Sequence, residues 1–457
     1  MVPEPSAPTD RAGRTRALRA SVEQVLPRVR GWLEELVRIP SVSDVDGDAP
    51  QVRASATAVA RILGEVGFPD VEVVEEGGRP AVVARHPAPE GAPTVLLYAH
   101  HDVQPPGDEA DWASPPFEPT ERAGRLYGRG AADDKAGIAA HLAAYLAHGS
   151  QPPVGLTVFV EGEEESGSDS LPDILRRHTD TLAADVFVIA DSGNWDVGAP
   201  ALTTSLRGLV NCVVEVRTLD HSVHSGMWGG VAPDALTALV RLLATLHDDA
   251  GNVAVAGLTS GPAGDLDYPV DRVRAESSVL DGVQLIGSGS VVERLWTRPA
   301  IAITGLDAPA SAHASNTLLP SASAKVSLRV APGDDSRTAL AALTRHLEGH
   351  APWGAHVRVH SSDLAQPYAI DAVGPAYDAA RSAFTDAWDG TEPVDVGVGG
   401  SIPFIAEFAA AFPDAAILVT GVEDPDTRAH GANESLHLAE FARVCLAETL
   451  LLDRLAP

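Results

Sequence analysis

The chain has 457 residues, with 33 Lys+Arg against 63 Asp+Glu and a formal net charge of −30. At roughly 150 residues per domain the length allows two or three compact units, and 45% hydrophobic with 21% charged residues excludes disordered and fibrous classes. So acidic a surface repels phosphate backbones and anionic lipid heads, which sets aside nucleic acids and membranes as partners.

From the N-terminus, residues 1–15 are rich in Pro, Arg and Thr and read as a loose tail with no apolar leader. Val22, Val25, Leu26, Val29, Leu33, Leu36 and Val37 recur at helical spacing, so a helix is expected over Ala20–Val37. Ile39-Pro40-Ser41 ends it, because a residue before Pro avoids the α region. The apolar runs Val95–Tyr98, Leu156–Val160, Val186–Ile189 and Ile417–Val419 read as buried strands of a largely parallel sheet. Helices are expected between them at Gly137–His148 and Ala376–Trp388, and that alternation defines an α/β layer architecture.

The middle of the chain is patterned differently. Leu209–Val216 and Lys325–Val330 alternate apolar and polar residues, as half-exposed antiparallel strands do. Between them, Leu236, Leu239, Val240, Leu243 and Leu246 form an apolar stripe behind the helix-start signal Pro233-Asp234. Residues 206–366 are therefore expected to form an α+β domain inserted into an α/β domain made of residues 1–205 and 367–457. No run approaches 18 consecutive apolar residues, so no membrane span is expected. Cys212 and Cys445, far apart in sequence, suit small core positions in a reducing cytoplasm. His141 and His148, on a predicted helix, read as structural or solvated.

Several polar clusters directly follow the apolar strands, where ligand sites of α/β sheets form. His100 and Asp102 are two apart, so in extended backbone they share a face. Asp102 would suit the carboxylate that fixes a metal-binding imidazole, or the two would form a plain buried pair. Asp133-Asp134 follows the glycine-rich turn Gly128–Gly130, where capping of the next helix is the simple explanation. Glu163-Glu164-Glu165 comes just after Val160, and three acids at a strand end are costly without cations. Asp191 follows Ile189, and His430 lies in the loop after Thr420. Together these give imidazole and carboxylate donors of the kind that bind zinc, and also Mn or Co. A bridging carboxylate with one His per ion would hold two ions about 3.5–4 Å apart, as in two-metal hydrolases, with one Glu left as general base.

In this order the segments Ala99–Pro105, Gly128–Gly137, Glu161–Ser168, Asp191 and Thr427–Glu434 resemble the co-catalytic dizinc metallopeptidase family. That family contains carnosine-type dipeptidases, glutamate carboxypeptidase, aminoacylase and succinyl-diaminopimelate desuccinylase. Ala99–Pro105 and Glu161–Ser168 are most similar to the dipeptidase branch. The resemblance implies an exopeptidase-type catalytic domain with an inserted lid and dimerisation domain. It implies two divalent ions, zinc or else Mn or Co. Asp133 would bridge them, His100 and Asp191 would complete one site, and Glu165 with His430 the other. Glu164 would be the general base, taking a proton from the attacking water and passing it to the leaving amine. Asp102 would orient His100, and the Asp133–Asp134 peptide would be cis.

The resemblance further implies that His224, in His221–Gly230, is lent to a partner subunit's site to stabilise an oxyanion. Arg329 would grip a substrate carboxylate in a fork, with Asn316, Gly400, Ser401 and His360 also contacting substrate. The dipeptidase branch usually has Arg-Glu just before the Gly399-Gly400-Ser401 loop, and this chain has Gly397-Val398 there. The expected activity is thus hydrolysis of dipeptides or small peptides with a free C-terminal carboxylate, by a cytoplasmic homodimer. Hydrolysis of N-acyl or N-carbamoyl amino acids is the alternative.

Overall fold

The computed structural model describes residues 11–43, 49–262, 266–400 and 403–457. The principal elements in chain order are α1 (Arg11–Val37), α2 (Ala49–Val66), β1 (Asp70–Val74), β2 (Ala81–His86), β3 (Thr94–His100), α3 (Lys135–Ala147), β4 (Gly155–Glu161), β5 (Val186–Ile189), β6 (Ala201–Leu206), β7 (Gly208–Arg217), α4 (Ala235–Leu243), β8 (Ala300–Asp307), β9 (Ser321–Val330), α5 (Ser336–Gly349), β10 (His356–Ala365), α6 (Pro375–Ala387), β11 (Ala416–Val419) and α7 (Leu438–Leu455). They pack as two units. One holds residues up to Thr204 with Asp371–Val396 and Glu407–Pro457, and the other holds Ser205–Ile370 with Gly397–Ala406.

The first unit is built on a mixed sheet of order β1-β2-β4-β3-β5-β11-β6. Its centre is parallel: β3 pairs with β4 and β5, and β5 with β11. The flanking strands β1, β2 and β6 run antiparallel. All four apolar runs found in the sequence are these central strands, so their carboxyl ends lie along one edge. Every residue of β4 is buried, as a strand covered on both faces requires. Helix α3 is buried along almost its whole length. Its Ala-rich sequence lets neighbouring elements approach closely on all sides.

The first helix starts earlier than its apolar spacing suggests. Arg11–Arg19 belongs to α1, whereas residues 1–10 of the expected tail lie outside the described residues. Arg14 pairs with Asp453 at 2.8 Å and Arg19 with Asp389 at 2.9 Å, so this polar turn is held from outside the helix.

The second unit is a four-stranded antiparallel sheet of order β8-β9-β7-β10. Helices α4 and α5 cover one face, burying Val210, Cys212, Val214, Leu239, Val326 and Leu343 in its core. β7 alternates buried and half-buried residues over almost its whole length, which leaves the other face open. Asp234 caps α4 by accepting the Thr237 N–H at 2.8 Å, as the Pro-Asp signal implies. Among the described residues, no helix is long and apolar enough to cross a membrane.

Candidate metal centre

His100 ends β3, opposite Glu161 at the end of β4. Glu164 and Glu165 follow in a single 3₁₀ turn, Asp191 comes two residues after β5, and His430 lies in the loop behind β11. The parallel core thus delivers five groups from four strand ends, two of them after β4. Asp133 arrives on the turn that leads into α3, and its peptide bond to Asp134 is cis.

Asp133 sits between two imidazoles. Its Oδ1 is 3.1 Å from His100 Nε2, and its Oδ2 is 3.0 Å from His430 Nε2. His100 Nε2 is also 3.9 Å from Asp191 Oδ1, and His430 Nε2 is 3.2 Å from Glu165 Oε2. Ligand atoms of His100, Asp133 and Glu165 lie within 4.8 Å of one another, as do those of His100, Glu164 and Asp191. This donor set fits divalent ions: each oxygen of Asp133 faces a different imidazole, each imidazole with a further carboxylate beside it. Mixed nitrogen and carboxylate donors suit zinc, manganese or cobalt.

The Nδ1 of His100 faces the Asp102 backbone carbonyl at 3.1 Å and Asp102 Oδ1 at 3.4 Å. With Nδ1 donating there, the Nε2 lone pair is left for an ion. Asp102 is itself fixed, because its Oδ2 accepts from the Ser43 hydroxyl and from the Glu165 N–H at 3.0 Å. Asp134 does not cap α3 with its side chain. It accepts the His100 N–H at 3.2 Å instead, which ties the turn into α3 to the end of β3.

The electrostatics are those of crowded acids. Burial, and then Asp191, push the Glu164 carboxyl well above its usual range. Burial likewise raises Asp191 well above its own, although the His100 charge opposes this. Asp133 goes the other way: burial would raise it, but His100 and His430 hold it low. His430, bonded to Asp133 and Glu165, is raised to about 11. Carboxyls that retain protons this strongly will also attract cations.

Two groups at the centre were not singled out in the sequence. Glu434 is fully buried and accepts the backbone N–H groups of Gly130, Ala132 and Asp133 at 3.0–3.1 Å, along with the Arg129 guanidinium at 2.5 Å. It thereby holds the turn that presents Asp133. Glu423, pushed to about 8 by burial and then by Asp133 and Glu434, adds another acid. The only sequence signal for either was nearness to His430.

The remaining expected residues belong to the second unit. His224 is exposed, and its Nδ1 accepts the Gly226 N–H at 3.0 Å, so it caps a short helical turn. Asn316 accepts the Ser225 N–H through its backbone oxygen at 2.9 Å. Arg329 lies on β9 and His360 on β10, both on the open face of the sheet. Gly400 is half-buried, and Ser401 lies outside the described residues. At Gly397 a Cβ would meet Trp296 Cβ at 2.6 Å, so the arginine implied by the resemblance would not fit.

The model of peptidase family M20/M25/M40 matches residues 96–453. The chain belongs to this peptidase family. A cysteinylglycine-S-conjugate dipeptidase of Corynebacterium striatum is 38% identical over 363 residues, covering 78% of this chain and 80% of the relative. A β-Ala-His dipeptidase of Rattus norvegicus is 27% identical over 441 residues, covering 92% and 87%. Among solved structures, the di-peptidase Dug1p of Saccharomyces cerevisiae superposes with a TM-score of 0.83 at 23% identity, covering 97% of this chain and 98% of that one. That last similarity is one of fold.

Proposed function

We propose that this chain is a two-metal dipeptidase that cleaves dipeptides with a free C-terminal carboxylate. The observation that carries the reading is the placement of the two Asp133 oxygens, each within 3.1 Å of a different imidazole. The named activities of relatives such as the 38% identical dipeptidase point to the same substrate class. They do not favour the N-acyl amino-acid alternative.

In this reading Asp133 would be the carboxylate shared by two divalent ions, zinc or else Mn or Co. His100 and Asp191 would hold one, and Glu165 and His430 the other. Ions held there would supply Lewis acidity to the scissile carbonyl and to a water near neutral pH. Glu164, an acid with raised proton affinity, receives the proton of the attacking water and gives it to the leaving amine. Asp102 keeps His100 oriented. Arg329 takes the substrate carboxylate as a bidentate fork, aided by Asn316, Gly400, Ser401 and His360.

The working protein is further proposed to be a cytoplasmic homodimer, each protomer lending His224 to its partner's oxyanion. Light scattering tests this, since a monomer with full activity contradicts it. The substrate reading is tested by assaying Cys-Gly, β-Ala-His and other dipeptides beside N-acetyl and N-carbamoyl amino acids, after loading with Zn, Mn or Co separately. Dipeptide cleavage is expected. Deacylation without dipeptide cleavage would reverse the assignment.

A further inference from the structure

The open face of the second unit's sheet brings two guanidiniums together. Arg329 on β9 pairs with Leu209 on β7. Arg207 lies two residues before Leu209, which sets it diagonally across the ladder from Arg329. Arg207 is only 8% exposed.

Its bonds go to neutral groups. Nε donates to the Gly399 carbonyl at 3.0 Å, and Nη1 to the carbonyls of Arg294 and Arg298 at 3.4 Å. Its backbone N–H donates to Val398 O at 3.2 Å, so residue and loop are stitched together. Among the described residues no carboxylate forms an ion pair with it. A Cβ on Gly399 would lie 2.8 Å from Arg207 Nη2 and 3.2 Å from the Leu295 carbonyl oxygen, so a side chain there would displace the guanidinium.

A cation buried among carbonyls and beside a second cation is unfavourable until an anion joins it. The cost is visible in Arg207, lowered to about 10 by burial first and by Arg329 second. A fork from each guanidinium would supply donors to both oxygens of one carboxylate.

We propose that Arg207 is a specificity-determining residue, forming with Arg329 a paired-guanidinium seat for the substrate's C-terminal carboxylate. The proposal rests on the dipeptidase reading, in which the substrate carries that group. The Gly397–Gly400 loop, with no side chain at three of its four positions, leaves the seat open to the small anion.

The test compares a dipeptide with its C-terminal amide in wild type, Arg207→Gln and Arg207→Lys. In Arg207→Gln, kcat/KM for the dipeptide should fall about 10- to 100-fold, the worth of charge-assisted hydrogen bonds, and mainly through KM. Turnover of the amide should stay within about threefold, so the preference for a free carboxylate collapses, and Arg207→Lys should recover part of it. If both substrates weaken equally, or neither does, Arg207 is structural only and the proposal fails. Should circular dichroism show Arg207→Gln to be unfolded, Arg207→Lys decides alone: a reduced preference supports the seat, and an unchanged one overturns it. A wild type that cleaves neither substrate overturns the dipeptidase reading itself.

Discussion

Glu434 accepts the backbone N–H of Asp133 at 3.1 Å, while the same carboxylate holds the buried Arg129 guanidinium. The two residues are 301 positions apart, yet this bond sets where Asp133 places its oxygens. Glu434→Gln keeps the shape but leaves Arg129 buried without its anion. Breaking such a pair costs about 3–5 kcal/mol. A lower denaturant midpoint together with weaker ion binding is expected, and calorimetric titration of the folded variant with Zn measures the second effect.

Glu164 is assigned to proton transfer and not to holding an ion. Glu164→Gln should therefore bind as much metal as wild type by elemental analysis, while kcat drops by about 10²–10⁴. Near-normal turnover in that variant would remove the assigned base.

A buried pair behind the site should give a distinctive pH dependence of stability. His141 Nδ1 faces both oxygens of Glu448 at 2.9 and 3.0 Å, and Nε2 faces the Tyr98 carbonyl at 3.0 Å. Both nitrogens face acceptor groups, an arrangement that favours the doubly protonated ring. Burial opposes that charge, but Glu448 outweighs it and holds His141 above its ordinary value. With an unfolded value of about 6.5, the contribution is complete below that pH and fades as pH rises through the folded value. Denaturation of wild type and His141→Gln from acid to alkaline pH should show the largest stability gap at the acid end.

Strand ends and their acids were legible because burial and chemistry leave local marks. A run such as Leu156–Val160 is apolar throughout because both faces of β4 are covered, and the glutamates that follow it stand out. The alternation of Leu209–Val216 and Lys325–Val330 likewise marked an antiparallel sheet with one open face. The antiparallel flanks β1, β2 and β6 were not assigned, so the sheet proved mixed where a largely parallel one was expected. The N-terminal turn of α1 was hidden, since its arginines look solvated until Asp389 and Asp453 come into reach. Asp134 carried the signature of a cap but bonds the His100 backbone. Arg207 and Glu434 were silent for one reason: their partners are far away in sequence.

Ion removal should destabilise the folded chain. Each site that binds only the native state contributes about 2.7 kcal/mol at a hundredfold excess of ion over Kd. Chelation should lower the thermal midpoint, and restoring Zn should raise it again. An unchanged midpoint would mean that His100, Asp133, Glu165, Asp191 and His430 hold no ion tightly.

The most direct measurement of the central claim is turnover of a dipeptide as chelator-treated protein is titrated with Zn or Mn. Activity should be absent without added ion and should plateau at two ions per chain, as one Asp133 oxygen facing each imidazole implies. Full dipeptide turnover in metal-free protein, or no turnover at any loading, would contradict the account.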